Sequence, residues 1–304
     1  MTEKELEKLI KDIKELKIQG NTNIAKSAAK GILDYITHLK AENFSDFVAK
    51  TRRYCIELAN ARPNEPLAYN AMTFILKDID ECETQQQVRI KVIERIEKFF
   101  SYIDESFETI RNNAVEHLKG YKIFMTDCHS SLVRDSLIRL HEIDPEIEVI
   151  STETRPLFQG RITAKKLAEK GVKVTQIIDS AVSSFILDDR YPTPQVIVVG
   201  SDGISVKGYL INKVGTYNIA IAAKKAGIPL YALTQSMKLD MRTATNKDFE
   251  IELRSPDEVW SDRPEGVKII NPAFDLVPAE YITGGFITEK GILHPNDIME
   301  MVEN

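Results

Sequence analysis

The chain is poor in cysteine: Cys55, Cys82 and Cys128 are the three thiols among 304 residues. Three are too few for a disulfide framework, and their spacing fits no metal-ligand pattern, so reduced thiols are expected. Long apolar runs are lacking as well. The opening residues, Met1-Thr2-Glu3-Lys4-Glu5-Leu6, hold no apolar core of signal-peptide length. No later stretch approaches the roughly 20 apolar residues of a membrane span, which predicts a cytoplasmic protein with no membrane partner. Positive charge is not in excess: 40 basic and 46 acidic residues leave a net charge of −6. The charges are mixed along the chain, and nothing in their sum calls for a nucleic-acid partner. Neither a Gly-x-Gly-x-x-Gly fingerprint nor a Walker-type Gly-Lys-Ser/Thr loop occurs, which weighs against dinucleotide and nucleoside triphosphate chemistry.

What is present suffices for a full core and two domains, with 43% hydrophobic residues. From the start to Lys119 apolar residues recur at helical spacing: Leu6, Ile10, Ile13 and Leu16, then Ile24, Ala28, Ile32, Leu33 and Ile36, then Val88, Ile90, Val92, Ile93, Ile96 and Phe99. Gly20 and Arg62-Pro63-Asn64-Glu65-Pro66 interrupt the pattern, because glycine and proline stop helices. This predicts about five or six helices over 1–119. After Gly120 the period changes to short β-branched runs, Lys122 to Thr126, Glu146 to Thr152, Val172 to Ile178, Gln195 to Gly200 and Pro229 to Thr234, separated by amphipathic segments of helix length. Strands alternating with helices need crossovers, so 120–304 is expected to be an α/β domain with a mostly parallel, Rossmann-like sheet.

Polar motifs directly follow several of these runs: Thr126-Asp127-Cys128-His129-Ser130-Ser131, Glu153-Thr154-Arg155-Pro156 with Gln159-Gly160-Arg161, Gly200-Ser201-Asp202-Gly203, and Asn212-Lys213 leading to Gly215-Thr216. Ligands of open α/β sheets collect at the carboxyl ends of strands, where helix N-termini direct free N–H groups at anions. Cys128 stands just before an expected helix starting near Ser130 or Ser131, where the helix field favours a thiolate. A lone cysteine is also a common small buried hydrophobe, and Cys55 and Cys82 are read that way. Asp202 between Gly200 and Gly203 is either a turn or cap aspartate or a carboxylate presented to a ligand. Paired with Cys128 it offers two proton carriers of separated acidity. Arg155 and Arg161 suit a phosphate clamp, and a solvated surface charge is the other reading of each. Asn212, Lys213 and the Gly215-Thr216 helix start combine an amide, a cation and free backbone donors. Lys238 lies beyond the last of the five runs, and Asp275 in Asn271-Pro272-Ala273-Phe274-Asp275 is placed to cap or close the site.

These motifs, with Ile251-Glu252-Leu253-Arg254, resemble a family uniting archaeal ribose 1,5-bisphosphate isomerases, methylthioribose 1-phosphate isomerases and the regulatory alpha, beta and delta subunits of translation initiation factor 2B. The resemblance is strongest from Phe124 to Ile292. It implies a helical N-terminal domain with a Rossmann-like catalytic domain, and homo-oligomers: dimers through the C-terminal domain, and hexamers in the ribose bisphosphate branch. The isomerases carry a cysteine and an aspartate that the regulatory subunits generally lack, and this chain has both in Cys128 and Asp202. The implied reaction turns ribose 1,5-bisphosphate into ribulose 1,5-bisphosphate through a cis-enolate, in nucleoside monophosphate breakdown, with no metal or organic cofactor. Arg62, Arg155, Gln159, Asn212, Lys213 and Lys238 match positions that surround the sugar phosphate. Gln19-Gly20-Asn21 stands where the isomerases usually read Arg-Gly-Ala, which removes one phosphate ligand. Asp202-Gly203 and Val206-Lys207-Gly208 replace the Asp-Arg pair and Asn-Gly-Asp turn of methylthioribose enzymes, which argues against that substrate. The resemblance leaves open a non-catalytic regulatory protein that binds a sugar phosphate or nucleotide and a partner protein.

Overall fold

Along the central strands, side chains alternate between two apolar cores, and that period of two dictates a layered architecture. The computed structural model describes residues 1–245 and 251–302. They form two compact units, Met1–Glu105 and Ser106–Asn304.

The first unit is helical: α1 (Glu3–Lys14), α2 (Asn21–His38), α3 (Phe44–Ala59), α4 (Pro66–Leu76) and the first part of α5 (Gln85–Leu118). A capping box starts α1, where Thr2 accepts from the Glu5 N–H and the Glu5 carboxylate accepts from the Thr2 N–H. Its apolar residues Leu6, Ile10 and Ile13 are buried, as their spacing predicts. Pro66 opens α4, the position where its missing N–H costs nothing. Tyr35 and Tyr54 meet edge to face at 4.9 Å in the core.

The second unit is doubly wound. Its elements after α5 are β1 (Ile123–Thr126), α6 (Ser131–Ile143), β2 (Glu148–Thr152), α7 (Gln159–Ala168), β3 (Lys173–Ile177), α8 (Val182–Leu187), β4 (Val196–Val199), β5 (Gly203–Ser205), β6 (Leu210–Lys213), α9 (Thr216–Ala226), β7 (Leu230–Leu233), β8 (Leu239–Asp240), β9 (Phe274–Val277), β10 (Gly285–Thr288) and β11 (Gly291–Leu293). Seven strands form one sheet in the order β11-β10-β7-β4-β1-β2-β3, parallel except for the β10–β11 edge pair. Phe124, Val149, Val196, Val198 and Leu233 face a core completed by α5 and α6, while Met125, Ile150, Ile197, Val199 and Ala232 face another completed by α8 and α9. All five β-branched runs are strands of this sheet.

A second sheet of four strands, β8-β5-β6-β9, was not expected. Its strands hold two to four residues, too few for an alternating pattern to emerge. It corrects the placement of Asn212 and Lys213. They lie within β6, antiparallel to β5 and β9, rather than in a loop beyond a parallel strand.

Truncating Phe124, fully buried in the sheet, to alanine should cost about 3–5 kcal/mol. Ile143→Ala, on a side chain 64% exposed, should stay within about 0.5 kcal/mol. Urea denaturation of both variants checks the contrast.

Candidate active site

Strand order determines where a crevice opens. From β1 the chain winds outward through β2 and β3, and from β4 it winds the other way through β7 and β10. Loops leaving β1 and β4 therefore part at the carboxyl end of the sheet, the place where such folds hold ligands. Thr126-Asp127-Cys128 leaves β1 and Gly200-Ser201-Asp202 leaves β4. Gly200 lets the two loops touch, because a Cβ there would lie 2.8 Å from the Ser130 Cβ.

The Cys128 backbone is held in the left-handed region at φ +55°, a conformation that non-glycine residues adopt only when their surroundings enforce it. Two threonines do so: the Cys128 N–H donates to Thr154 Oγ1 at 2.9 Å, and Thr163 Oγ1 donates to the Cys128 carbonyl at 2.7 Å. His129 Nδ1 lies 2.9 Å from Thr163 Oγ1 and braces the same loop, while burial lowers its imidazole to about 4. Helix α6 starts at Ser131 with Ser130 as its cap. The expectation that the helix field favours a thiolate is not met. Burial pushes the Cys128 thiol up, negative charge on Asp127 or Asp202 pushes it further where present, and the Lys213 ammonium pulls back less strongly. Desolvation of the charged form outweighs the helix field, so the resting group is a thiol.

Cys128, Asp202 and Lys213 lie close enough for their charges to act on one another. Lys213 is 5% exposed. Burial lowers its ammonium and the nearby Arg254 cation lowers it further, against Cys128, Asp202 and Glu258. Arg254 is fixed by Glu258 through Nε at 2.8 Å and Nη2 at 2.5 Å, and Asn271 Nδ2 donates to the same carboxylate at 3.3 Å. The buried Lys238 donates from Nζ to the Ser201 carbonyl at 2.6 Å, next to Asp202. The backbone of Asp202 is tied to the second sheet, its N–H donating to the Ile211 carbonyl at 2.8 Å.

Asn212 is buried with its Nδ2 2.9 Å from Thr216 Oγ1 and 3.5 Å from Asp127 Oδ1. The free donors expected at the Gly215-Thr216 helix start are not free. Asp275 Oδ2 accepts from the Gly215 N–H at 2.8 Å and the Tyr217 N–H at 2.9 Å, so an aspartate of the chain itself occupies that anion site. Likewise Asp179 accepts from the backbone N–H groups of Thr154 and Arg155, both at 2.7 Å.

Arg155 is exposed, with Nη2 donating to the Val259 carbonyl at 3.0 Å and its guanidinium over the Phe158 ring. Arg161 pairs with Glu153 at 2.6 Å. Gln159 opens α7, and its buried Oε1 has no hydrogen-bond partner among the described residues. Gly160 is required beside it, since a Cβ there would meet the Thr152 carbonyl oxygen at 1.7 Å. Gln19, Gly20, Asn21 and Arg62 belong to the first unit. There Gln19 Nε2 donates to the Leu16 carbonyl at 2.9 Å, Gly20 caps α2, Asn21 is buried at the start of that helix, and the buried Arg62 pairs with Glu65 at 3.1 Å. Sequence reasoning missed Thr154, Thr163, Asp179 and Thr216 as parts of the β1–β4 loop cluster. Thr154 and Thr216 stood inside recognised motifs, and that adjacency was the available signal.

The fold is that of a Rossmann-like α/β protein whose strand-end loops after β1 and β4 lie near two buried lysines, Lys213 and Lys238. Residues 17–295 match the Initiation factor 2 subunit family, and the chain belongs to it. It is 34% identical to the ribose 1,5-bisphosphate isomerase of Methanocaldococcus jannaschii, over 96% of this chain and 92% of that protein. Identity to the methylthioribose-1-phosphate isomerase of Dehalococcoides mccartyi is 30%, over 92% and 87% of the two chains. The solved 5-methylthioribose 1-phosphate isomerase of Pyrococcus horikoshii is 26% identical with a TM-score of 0.77, covering 98% of this chain and 87% of that one. Translation initiation factor eIF-2B of the same organism shares the fold at 24% identity, with a TM-score of 0.79 and 97% and 98% of the chains covered.

Replacing Asp275 with alanine strips two helix-start N–H groups of their acceptor and should cost about 1–2 kcal/mol. Urea midpoints of the two proteins check it, and equal midpoints contradict the capping role.

Proposed function

We propose that the protein is an aldose–ketose isomerase that converts ribose 1,5-bisphosphate to ribulose 1,5-bisphosphate in nucleoside monophosphate breakdown. The observation that carries this reading is the placement of Cys128 and Asp202 on the loops after the adjacent parallel strands β1 and β4, which Gly200 allows to approach each other closely. Relatives named ribose 1,5-bisphosphate isomerase, similar over nearly the whole chain, support it.

The resting pair, thiol and carboxylate, is one proton transfer away from the working pair. Asp202 takes the Cys128 proton, which leaves a thiolate beside the Lys213 ammonium. Protonated Asp202 then gives its proton to the furanose ring oxygen as the C1–O bond opens. The thiolate removes the C2 proton, and its electrons form the C1–C2 double bond of the enol. Asp202 next takes the O2 proton while the Cys128 thiol returns a proton to C1, yielding the C2 ketone and restoring the working pair of protonated Asp202 and Cys128 thiolate. Transfer of the Asp202 proton to Cys128 resets the thiol and the carboxylate. Every proton stays within the substrate and these two side chains, so the step needs no metal or organic cofactor. Lys213 and Lys238 supply buried cations for phosphate, and Asn212, Gln159, Arg155, Arg62 and the 19–21 segment complete the set we assign to substrate. Residues 1–119 form the helical domain and 120–304 the catalytic one, and the protein works in the cytoplasm as a homo-oligomer, a dimer through the catalytic domain or a hexamer.

Gln19 favours a second reading, a regulatory relative of translation initiation factor 2B that binds a sugar phosphate or nucleotide and a partner protein. The two readings part on turnover. Purified protein given ribose 1,5-bisphosphate should produce ribulose 1,5-bisphosphate, followed by NMR. Cys128→Ser and Asp202→Asn should each lower kcat by roughly 10³-fold while remaining folded. No turnover by the native protein, or retained turnover in either variant, contradicts the reading.

A further inference from the structure

We propose that Asp127 works as a neutral carboxylic acid, a positioning residue that donates its proton to Thr216 and keeps negative charge away from Cys128. The role in turnover rests on the isomerase reading, whereas the protonation state does not. The inference comes from counting protons. Thr216 Oγ1 has one proton and two lone pairs. It lies 2.9 Å from Asn212 Nδ2, 2.7 Å from the Lys213 carbonyl oxygen and 2.5 Å from Asp127 Oδ2. The Lys213 carbonyl can only accept. Were Asp127 ionised, it too could only accept, and two acceptors would compete for one hydroxyl proton.

One of those short oxygen–oxygen contacts would then have no proton between its atoms. Thr216 is fully buried and Asp127 is 3% exposed, so solvent does not relieve the clash. With the proton on Asp127 Oδ2 every contact is satisfied. The carboxyl donates to Thr216, Thr216 donates to the Lys213 carbonyl, and Asn212 donates to the remaining lone pair. The chain of bonds couples the loop after β1 to the end of β6 and the first residue of α9.

The surroundings favour the same state. Burial raises the Asp127 carboxyl to about 7, against the Thr216 hydrogen bond, and the negative charges of Asp275 on β9, Asp202 after β4 and Asp179 after β3 add to the rise. Cys128 is the next residue, and the Lys213 ammonium acts on that thiol. Ionised Asp127 would oppose the thiolate that the proposed C2 proton removal requires. Asn212 is held by the same bonds with its Oδ1 near the loop after β4, 3.9 Å from where a Gly200 Cβ would stand.

Asp127→Asn imitates the neutral acid, with an amide N–H for Thr216 and no charge. A carboxyl raised in the folded state contributes stability below its unfolded value near 3.8, and loses it as pH rises through about 7. The melting temperature of D127N should therefore gain on that of the native protein between pH 5 and pH 7, then hold a constant offset. An offset constant from pH 5 to 9 overturns the neutral acid. In case D127N does not fold, 13C-aspartate NMR of the native chain reads the same group: one carboxyl titrating near 7 is expected, and none titrating above about 5.5 overturns it. In turnover, the ratio of D127N to native kcat should rise about tenfold from pH 6 to pH 8, and a ratio independent of pH overturns the charge role. Absence of turnover in both proteins counts against the isomerase reading alone, because melting and NMR need no substrate.

Discussion

Burying one carboxyl, Asp127, next to Cys128 and within reach of the charges of Asp202, Asp275 and Asp179 is the constraint on which the site depends. Charge repels charge most strongly where water is excluded, and carboxyl and thiol groups placed there keep their protons. Asp127 and Cys128 both sit above their ordinary values for this reason, with Asp202 acting on each. The sheet topology makes the crowding unavoidable, since β1 and β4 are neighbours whose following segments leave in opposite directions. Buried Lys213 answers part of the negative charge, and its own ammonium is lowered by the same desolvation.

The chain also fills its own anion sites. Asp275 covers the start of α9 and Asp179 covers the N–H groups at Thr154 and Arg155. Both carboxylates hold backbone that surrounds Cys128 and Lys213, so rigidity comes from charge already in the sequence. Under the proposed reaction, phosphate is then met by side-chain cations and amides, chiefly Lys213, Lys238 and Asn212, and the helix start serves as a brace.

The parts of this arrangement visible in the sequence were those set by local pattern. β-branched runs of four or five residues marked the strands of the main sheet, and polar residues straight after them marked the crevice, because parallel strands end there. Cys128 and Asp202 could be paired from that rule. Residues that act across long chain separations left no pattern: Thr163 reaches Cys128 over 35 positions and Thr216 reaches Asp127 over 89. The β5–β6–β8–β9 sheet escaped for a related reason, since strands of two to four residues carry no measurable period. The thiolate expectation failed because burial, which cannot be read from a motif, reversed the sign that helix position alone suggests.

The central claim is that one sugar phosphate sits between the Cys128 thiol and the Asp202 carboxylate. A crystal structure of the Cys128→Ser protein with ribose 1,5-bisphosphate bound tests it most directly. C2 should lie against the side chain of residue 128 and the ring oxygen within hydrogen-bond reach of Asp202, with a phosphate on Lys213 or Lys238. A sugar bound away from the β1–β4 crevice, or one contacting either of the two side chains without the other, would contradict it.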